Sequence, residues 1–182
     1  MSLHWRKRLE YRLLRWQARF EGVVFDRFFP WVTGALLWVV FLLLALAKSR
    51  ELGQDSSLAA VMQSVWLIGE GFTPESTLFG QNYFASQGGF LLYPLALVTS
   101  FLPTAMTLLI IQSAALSFCT VPIWRLSRNV ANLRTGTSAV ILTVYGLYSA
   151  VHSLNLAGFH LESLAVPALF SAVLCGFTDR KY

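Results

Sequence analysis

The charges and apolar runs of this chain are so segregated that one membrane topology accommodates nearly all of them. Residues 28–47 form an apolar run of about twenty, the length that crosses a bilayer as a helix. Arg6, Lys7, Arg8, Arg12, Arg15, Arg19 and Arg27 precede it, so the positive-inside bias puts the N-terminus in the cytoplasm. Threading the later apolar runs from that start leaves twelve of the fourteen Lys and Arg residues on the cytoplasmic side, with Lys48 and Arg50 as the exceptions. The expected location is a membrane crossed several times, with both termini cytoplasmic.

Composition agrees with this. With 182 residues, 55% of them hydrophobic and 13% charged, a water-soluble domain would need a far larger interior than this length provides. The net charge of +5 comes from juxtamembrane clusters, which suit anionic membrane lipids and argue against nucleic acid as a partner. Cys119 and Cys175 lie in apolar runs, where thiols act as small hydrophobes, so no disulfide is expected. No CxxC, HExxH or cluster of His and carboxylates has metal-ligand spacing, and no metal site is assigned from the residues. Ala45-Leu46-Ala47 resembles a signal-peptide cleavage site, but the long basic leader and the spanning length of the run favour an uncleaved anchor.

The fold class expected is all-α, a polytopic helical membrane protein. Within residues 1–27, Trp5, Leu9, Leu13, Trp16, Phe20 and Val24 recur at helical spacing among arginines, a pattern for an amphipathic helix on the cytoplasmic surface or for a plain basic anchor. An outer loop, 48–89, follows the first span and carries Glu51, Asp55, Glu70 and Glu75; within it Asp55 and the apolar face of Leu58, Met62, Val65 and Trp66 predict a short surface helix over 56–68. Residues 90–102 are apolar but too few to cross, and Pro94 interrupts them, so they read as a half-embedded, re-entrant segment. That choice keeps Arg125, Arg128 and Arg134 inside. Further spans are expected at about 104–124, 137–154 and 163–177, four in all, in one membrane domain over 28–182.

Ionisable groups at membrane depth are costly, and the expected span interiors hold none, so candidate chemistry falls at the outer interface. Asp55 could act there as a general base, or simply cap the helix that follows. His160 and Glu162 flank Leu161 in the turn between the last two spans, a pair able to meet a phosphate or hydroxyl, or a solvated turn with an acidic helix start. Tyr145, Tyr148, Ser149 and His152 share one face of the third span, a stripe that suits a sugar or headgroup cavity or an interfacial belt. Gln112, Ser113, Ser117 and Thr120 give the second span a small, polar face of the kind that packs helices together.

Leu52-Gly53-Gln54-Asp55, Gln63-Ser64-Val65-Trp66, the run from Phe90 to Leu95, Ile111-Gln112-Ser113, Pro122-Ile123-Trp124-Arg125 and above all the block from Asn155 to Pro167 resemble a bacterial family of polytopic membrane proteins, domain of unknown function 2079. That family in turn resembles the N-terminal part of GT-C glycosyltransferases, which take sugars from polyprenyl-phosphate donors. The resemblance implies that Asp55 is an acceptor base or metal-associated carboxylate, that His160 and Glu162 lie near donor phosphate or substrate, and that a divalent cation is the one cofactor to consider. Gln87, Tyr145, His152 and Asn155 are the substrate-binding candidates. Ala157, Leu161 and Gln87 stand where the family commonly carries an acidic residue, a proline and a histidine.

The leading expectation is the N-terminal membrane module of a GT-C-like glycosyltransferase acting on a polyprenyl-phosphate-linked sugar, incomplete or degenerate by itself. The alternative is a non-catalytic membrane subunit joined to a second membrane chain, which the substitutions at Ala157, Leu161 and Gln87 favour. A transporter component ranks third, because polar coordination at mid-membrane is sparse.

Overall fold

A computed structural model of the chain describes residues 22–51, 55–78, 80–86 and 89–178. The expected amphipathic helix before residue 22, the candidate Gln87 and the terminal residues 179–182 lie outside the described residues. Among the described residues four helices are long and apolar enough to cross a membrane, and the chain is an all-α, multi-pass membrane protein.

The first crossing helix is α1, Val23–Arg50. Its 28 residues extend to roughly 40 Å at the α-helical rise, longer than a hydrocarbon core of about 30 Å. The second runs Thr104–Val130 and is assembled from α5 (Thr104–Phe118), α6 (Thr120–Arg125) and a π turn, Leu126–Val130. Pro122 has no N–H to give the Phe118 carbonyl, and the regular ladder loosens at Cys119 between α5 and α6. The third pairs α7 (Thr135–Leu147) with α8 (Ser149–Ala157), and the last is a 3₁₀ turn, Leu161–Leu164, leading into α9, Ala165–Thr178.

Two details differ from the sequence reading. Helical structure was expected to give way to a loop at Arg125, but it continues to Val130, so Arg125 and Arg128 ride on its last turns. The cause is a fixed end. Arg128 donates from Nε and Nη2 to the two Asp26 carboxylate oxygens at 3.0 and 2.7 Å, and from Nη1 to the Leu133 carbonyl at 2.6 Å. The third crossing, expected to be continuous, breaks at Tyr148, whose extended backbone (ψ 118°) separates α7 from α8. The break removes a regular ladder partner from the Gly146 carbonyl, and His152 Nε2 lies 2.7 Å from that oxygen in its place.

Cross-links set α1 antiparallel to the second crossing helix. Asp26 meets Arg128, the Pro30 carbonyl accepts from Thr120 Oγ1 at 3.0 Å, and farther along Asn155 joins the Phe41 carbonyl at 2.9 Å to Ser113 Oγ at 3.0 Å. The second helix is the centre of the bundle: 67% of its apolar window is buried, against 22%, 17% and 11% for the other three. Its polar face does what small and hydroxylic residues do in membranes, letting backbones close up and bonding across the gap. Gln112, Ser113, Ser117 and Thr120 are all fully buried, and α1 approaches so closely that a Cβ on Gly34 would lie 2.8 Å from Thr120 Oγ1.

Between α1 and α5 the chain builds a cap on one end of the bundle. It consists of α2 (Ser56–Gly69), a two-residue-stranded hairpin of β1 (Glu75–Ser76) with antiparallel β2 (Gln81–Asn82), the single turn α3 (Tyr83–Ser86) and α4 (Leu92–Thr99). Leu58, Val61 and Val65 of α2 meet Leu92, Leu95 and Ala96 of α4 in one apolar cluster, joined by Leu108, Phe159 and Leu161 from the bundle. The cap is therefore seated on the crossing helices by a shared core.

Candidate functional site

The Asn155–Pro167 block forms the turn that joins the last two crossing helices, at the cap end of the bundle. Helix α8 stops at Ala157 because Gly158 adopts φ 138°, ψ −152°, a conformation that only glycine reaches without strain. Glycine is needed there for space as well. A Cβ on Gly158 would come within 2.6 Å of Ser57 Oγ and 3.5 Å of Asp55 Cβ. The close approach allows the Asp55 N–H to donate to the Ala157 carbonyl at 3.1 Å, and this joint ties the start of α2 to the turn.

Asp55 is the N-cap of α2. Its Oδ1 accepts from the Ser56 N–H at 2.7 Å and from Ser56 Oγ at 3.2 Å, leaving Oδ2 outside any hydrogen bond among the described residues. The carboxylate is exposed. Capping and chemistry thus compete for one group without excluding each other, because one oxygen holds the helix and the other accepts no hydrogen bond among the described residues.

Beyond Gly158 the side chains alternate. Phe159, Leu161 and Ser163 are buried, His160 is half-buried and Glu162 is exposed. His160 is extended (φ −125°, ψ 120°) and Glu162 sits in the first turn of the following 3₁₀ helix, so the two polar groups reach the rim while Phe159 and Leu161 anchor in the cap core. Gln112 of α5 clamps this turn from beneath: Nε2 donates to the carbonyls of Gly158 (2.7 Å) and Leu154 (3.1 Å), and Oε1 accepts from the His160 N–H at 2.8 Å.

One participant carried no signal in the sequence. Tyr83 of α3 is 5% exposed and close enough to feel the charge of Glu162. Burial first, and the Glu162 carboxylate second, push its phenol up to about 12, so it is a neutral donor at physiological pH. Nothing in a run of uncharged aromatic and small residues distinguishes this tyrosine from its neighbours; its position follows from the hairpin, which folds it back under the turn.

The other candidates are placed elsewhere. Asn155 is 1% exposed, and both ends of its amide are committed to Phe41 and Ser113, so it is a strut between three crossing helices with no surface for a ligand. Tyr145 donates to the Leu116 carbonyl at 2.6 Å, and His152 serves the broken α7–α8 junction with its ring edge-on to Phe41 at 5.0 Å. Tyr145 and His152 are thus committed to contacts within the bundle, whereas Tyr148 and Ser149 of the same stripe are exposed. Asp55, His160 and Glu162 do share the cap end with Tyr83. Among the described residues no three His, Cys, Asp or Glu side chains gather as a metal-binding set. A cleft of about 400 Å³ lies at the hairpin, lined by Glu75, Ser76, Thr77, Gly80 and Asn82, none of which the sequence had singled out as a ligand.

The chain matches no curated protein and no solved structure. A family model described as "predicted membrane protein (DUF2079)" matches residues 55–182, from the capping aspartate through the cap and the last three crossing helices. That span is most of the chain, and with its four apolar helices and the joint between Asp55 and the Asn155–Pro167 turn, the protein belongs to the DUF2079 family of predicted membrane proteins.

Proposed function

We propose that this chain is the N-terminal membrane module of a GT-C-like glycosyltransferase that uses a polyprenyl-phosphate-linked sugar. The observation that carries the reading is the Asp55–Ala157 joint at Gly158, which brings an outward-facing carboxylate to the same end of the bundle as His160, Glu162 and the neutral phenol of Tyr83. Asp55 acts as the base on the acceptor hydroxyl through Oδ2, while His160 and Glu162 orient the substrate. The end bearing Arg125, Arg128 and Arg134 faces the cytoplasm of a bacterial inner membrane, and the cap faces outward. Sugar transfer by the full-length protein in lipid vesicles tests the assignment. Asp55→Asn and Asp55→Ser both retain a capping oxygen, so the expected result is a folded protein with transfer abolished. Undiminished transfer by both variants would remove Asp55 from catalysis.

A second reading, a non-catalytic subunit that joins another membrane chain, draws on a different observation. In three of the four crossing helices more than three quarters of the apolar window is not fully buried within this chain. Purification in mild detergent separates the readings: a stoichiometric membrane partner without bound polyprenyl lipid supports the subunit.

A further inference from the structure

We infer that α4 and its flanks are a one-leaflet anchor, an apolar surface on which the cap rests in the acyl region of the membrane at the cap end of the bundle. The inference stands apart from any catalytic role. Residues 76–124 contain no Asp, Glu, Lys, Arg or His, so the absence of charge that marks the second crossing helix begins well before it, inside the cap. Helix α4 has two contrasting faces. Leu92, Leu95 and Ala96 are buried against α2, whereas Leu97 is 68% exposed and the flanking Phe90 and Phe101 are 79% and 81% exposed. Apolar side chains this large and this open in a contiguous region mark a surface with a partner.

The geometry selects lipid as that partner. At eight residues α4 is only about 12 Å long, less than half of a hydrocarbon core, so it cannot cross. Thr99 and Thr104 are five residue steps apart, which limits the end of α4 to within about 18 Å of the start of α5 even if the link were fully extended. The exposed apolar surface then continues along α5 at Met106, which is 49% exposed. The hydroxyls at the C-terminal end of α4 are also spent internally, Thr99 Oγ1 on the Leu95 carbonyl at 2.9 Å and Ser100 Oγ on the Leu97 carbonyl at 2.7 Å, as an environment without water requires. The cap's carboxylates, Asp55, Glu70 and Glu75, all lie on other elements.

Nitroxide labels read this directly. In the full chain carrying Cys175→Ala, with Cys119 left buried, Phe90→Cys, Leu97→Cys and Phe101→Cys are labelled one at a time and compared with Glu70→Cys and Glu75→Cys in vesicles of phosphatidylcholine and phosphatidylglycerol. The expected result is a ratio of oxygen to nickel-chelate collisions severalfold higher at Leu97 and Phe101 than at the two glutamate positions. Equal ratios at all positions would mean that the surface faces water. Low collision rates with both reagents at Phe90, Leu97 and Phe101 would mean that another protein chain covers it. Either result overturns the inference.

Discussion

Replacing Gln112 by leucine tests whether the cap-end turn is held by the crossing helix beneath it. The side chain is wholly buried, and leucine of similar volume fills its place while removing three good hydrogen bonds, to the Gly158 and Leu154 carbonyls and from the His160 N–H. The contact with Ser163 Oγ at 3.4 Å is discounted, because that hydroxyl has a better acceptor in the His160 carbonyl at 2.6 Å. At about 0.6 kcal/mol for each interhelical bond in a membrane, the loss would be about 2 kcal/mol. Stranding main-chain groups without a partner costs about 1–3 kcal/mol apiece. Part of that is offset because leucine leaves no amide of its own to desolvate. A net destabilisation of about 2–4 kcal/mol follows. Equilibrium unfolding in mixed detergent micelles, followed by far-UV circular dichroism, measures the total. Hydrogen exchange localises it, with faster exchange expected at the amide of His160. A Gln112→Leu variant within about 0.5 kcal/mol of the parent, with His160 exchange unchanged, would refute the clamp.

Other perturbations probe the remaining joints. Gly34→Val puts a Cβ 2.8 Å from Thr120 Oγ1 and 3.1 Å from the Phe118 ring, and the forced separation of α1 from the central helix is expected to cost about 1–3 kcal/mol in the same unfolding assay. For the Asp26–Arg128 pair, a double-mutant cycle with Asp26→Asn and Arg128→Gln is expected to give a coupling of no more than about 1 kcal/mol, since both side chains are partly open to solvent. A coupling of zero would leave the helical extension to Val130 without its proposed cause. Tyr83 ionises more readily in the unfolded chain than in the fold, where its phenol is pushed up to about 12. Its contribution to stability is therefore complete below about pH 10 and lost as pH rises from there toward 12. Ultraviolet difference titration of tyrosinate, parent against Tyr83→Phe, should show one group ionising late, and a difference spectrum already complete near pH 10 would contradict its burial.

Much of the site was readable before any fold. Asp55 followed by two serines and an apolar face at helical spacing specified a capped helix, and α2 begins at Ser56 with Asp55 as its cap. The small and polar face of the second crossing helix specified close packing, and all four residues are buried. Other features left no such trace. Asn155 stood as a substrate-binding candidate, yet it is the strut between Phe41 and Ser113. Asp26, one of three acids in a basic leader, drew no notice until Arg128, 102 residues later, came to lie against it. Tyr83 belongs to the same class, since a phenol acquires its character from what the hairpin and the turn bring to it.

The division has a single physical origin. Whether a segment partitions into lipid depends on the summed transfer free energy of its own side chains, and that sum is local, so four apolar helices, the membrane class and the basic and acidic ends were determined by the sequence alone. Which polar groups end up satisfied depends on the neighbouring helix and its register, and those pairings cost or return free energy only once the helices touch. The break at Tyr148 with His152 serving the freed carbonyl, the Gln112 clamp and the joint at Gly158 were therefore decided by tertiary structure.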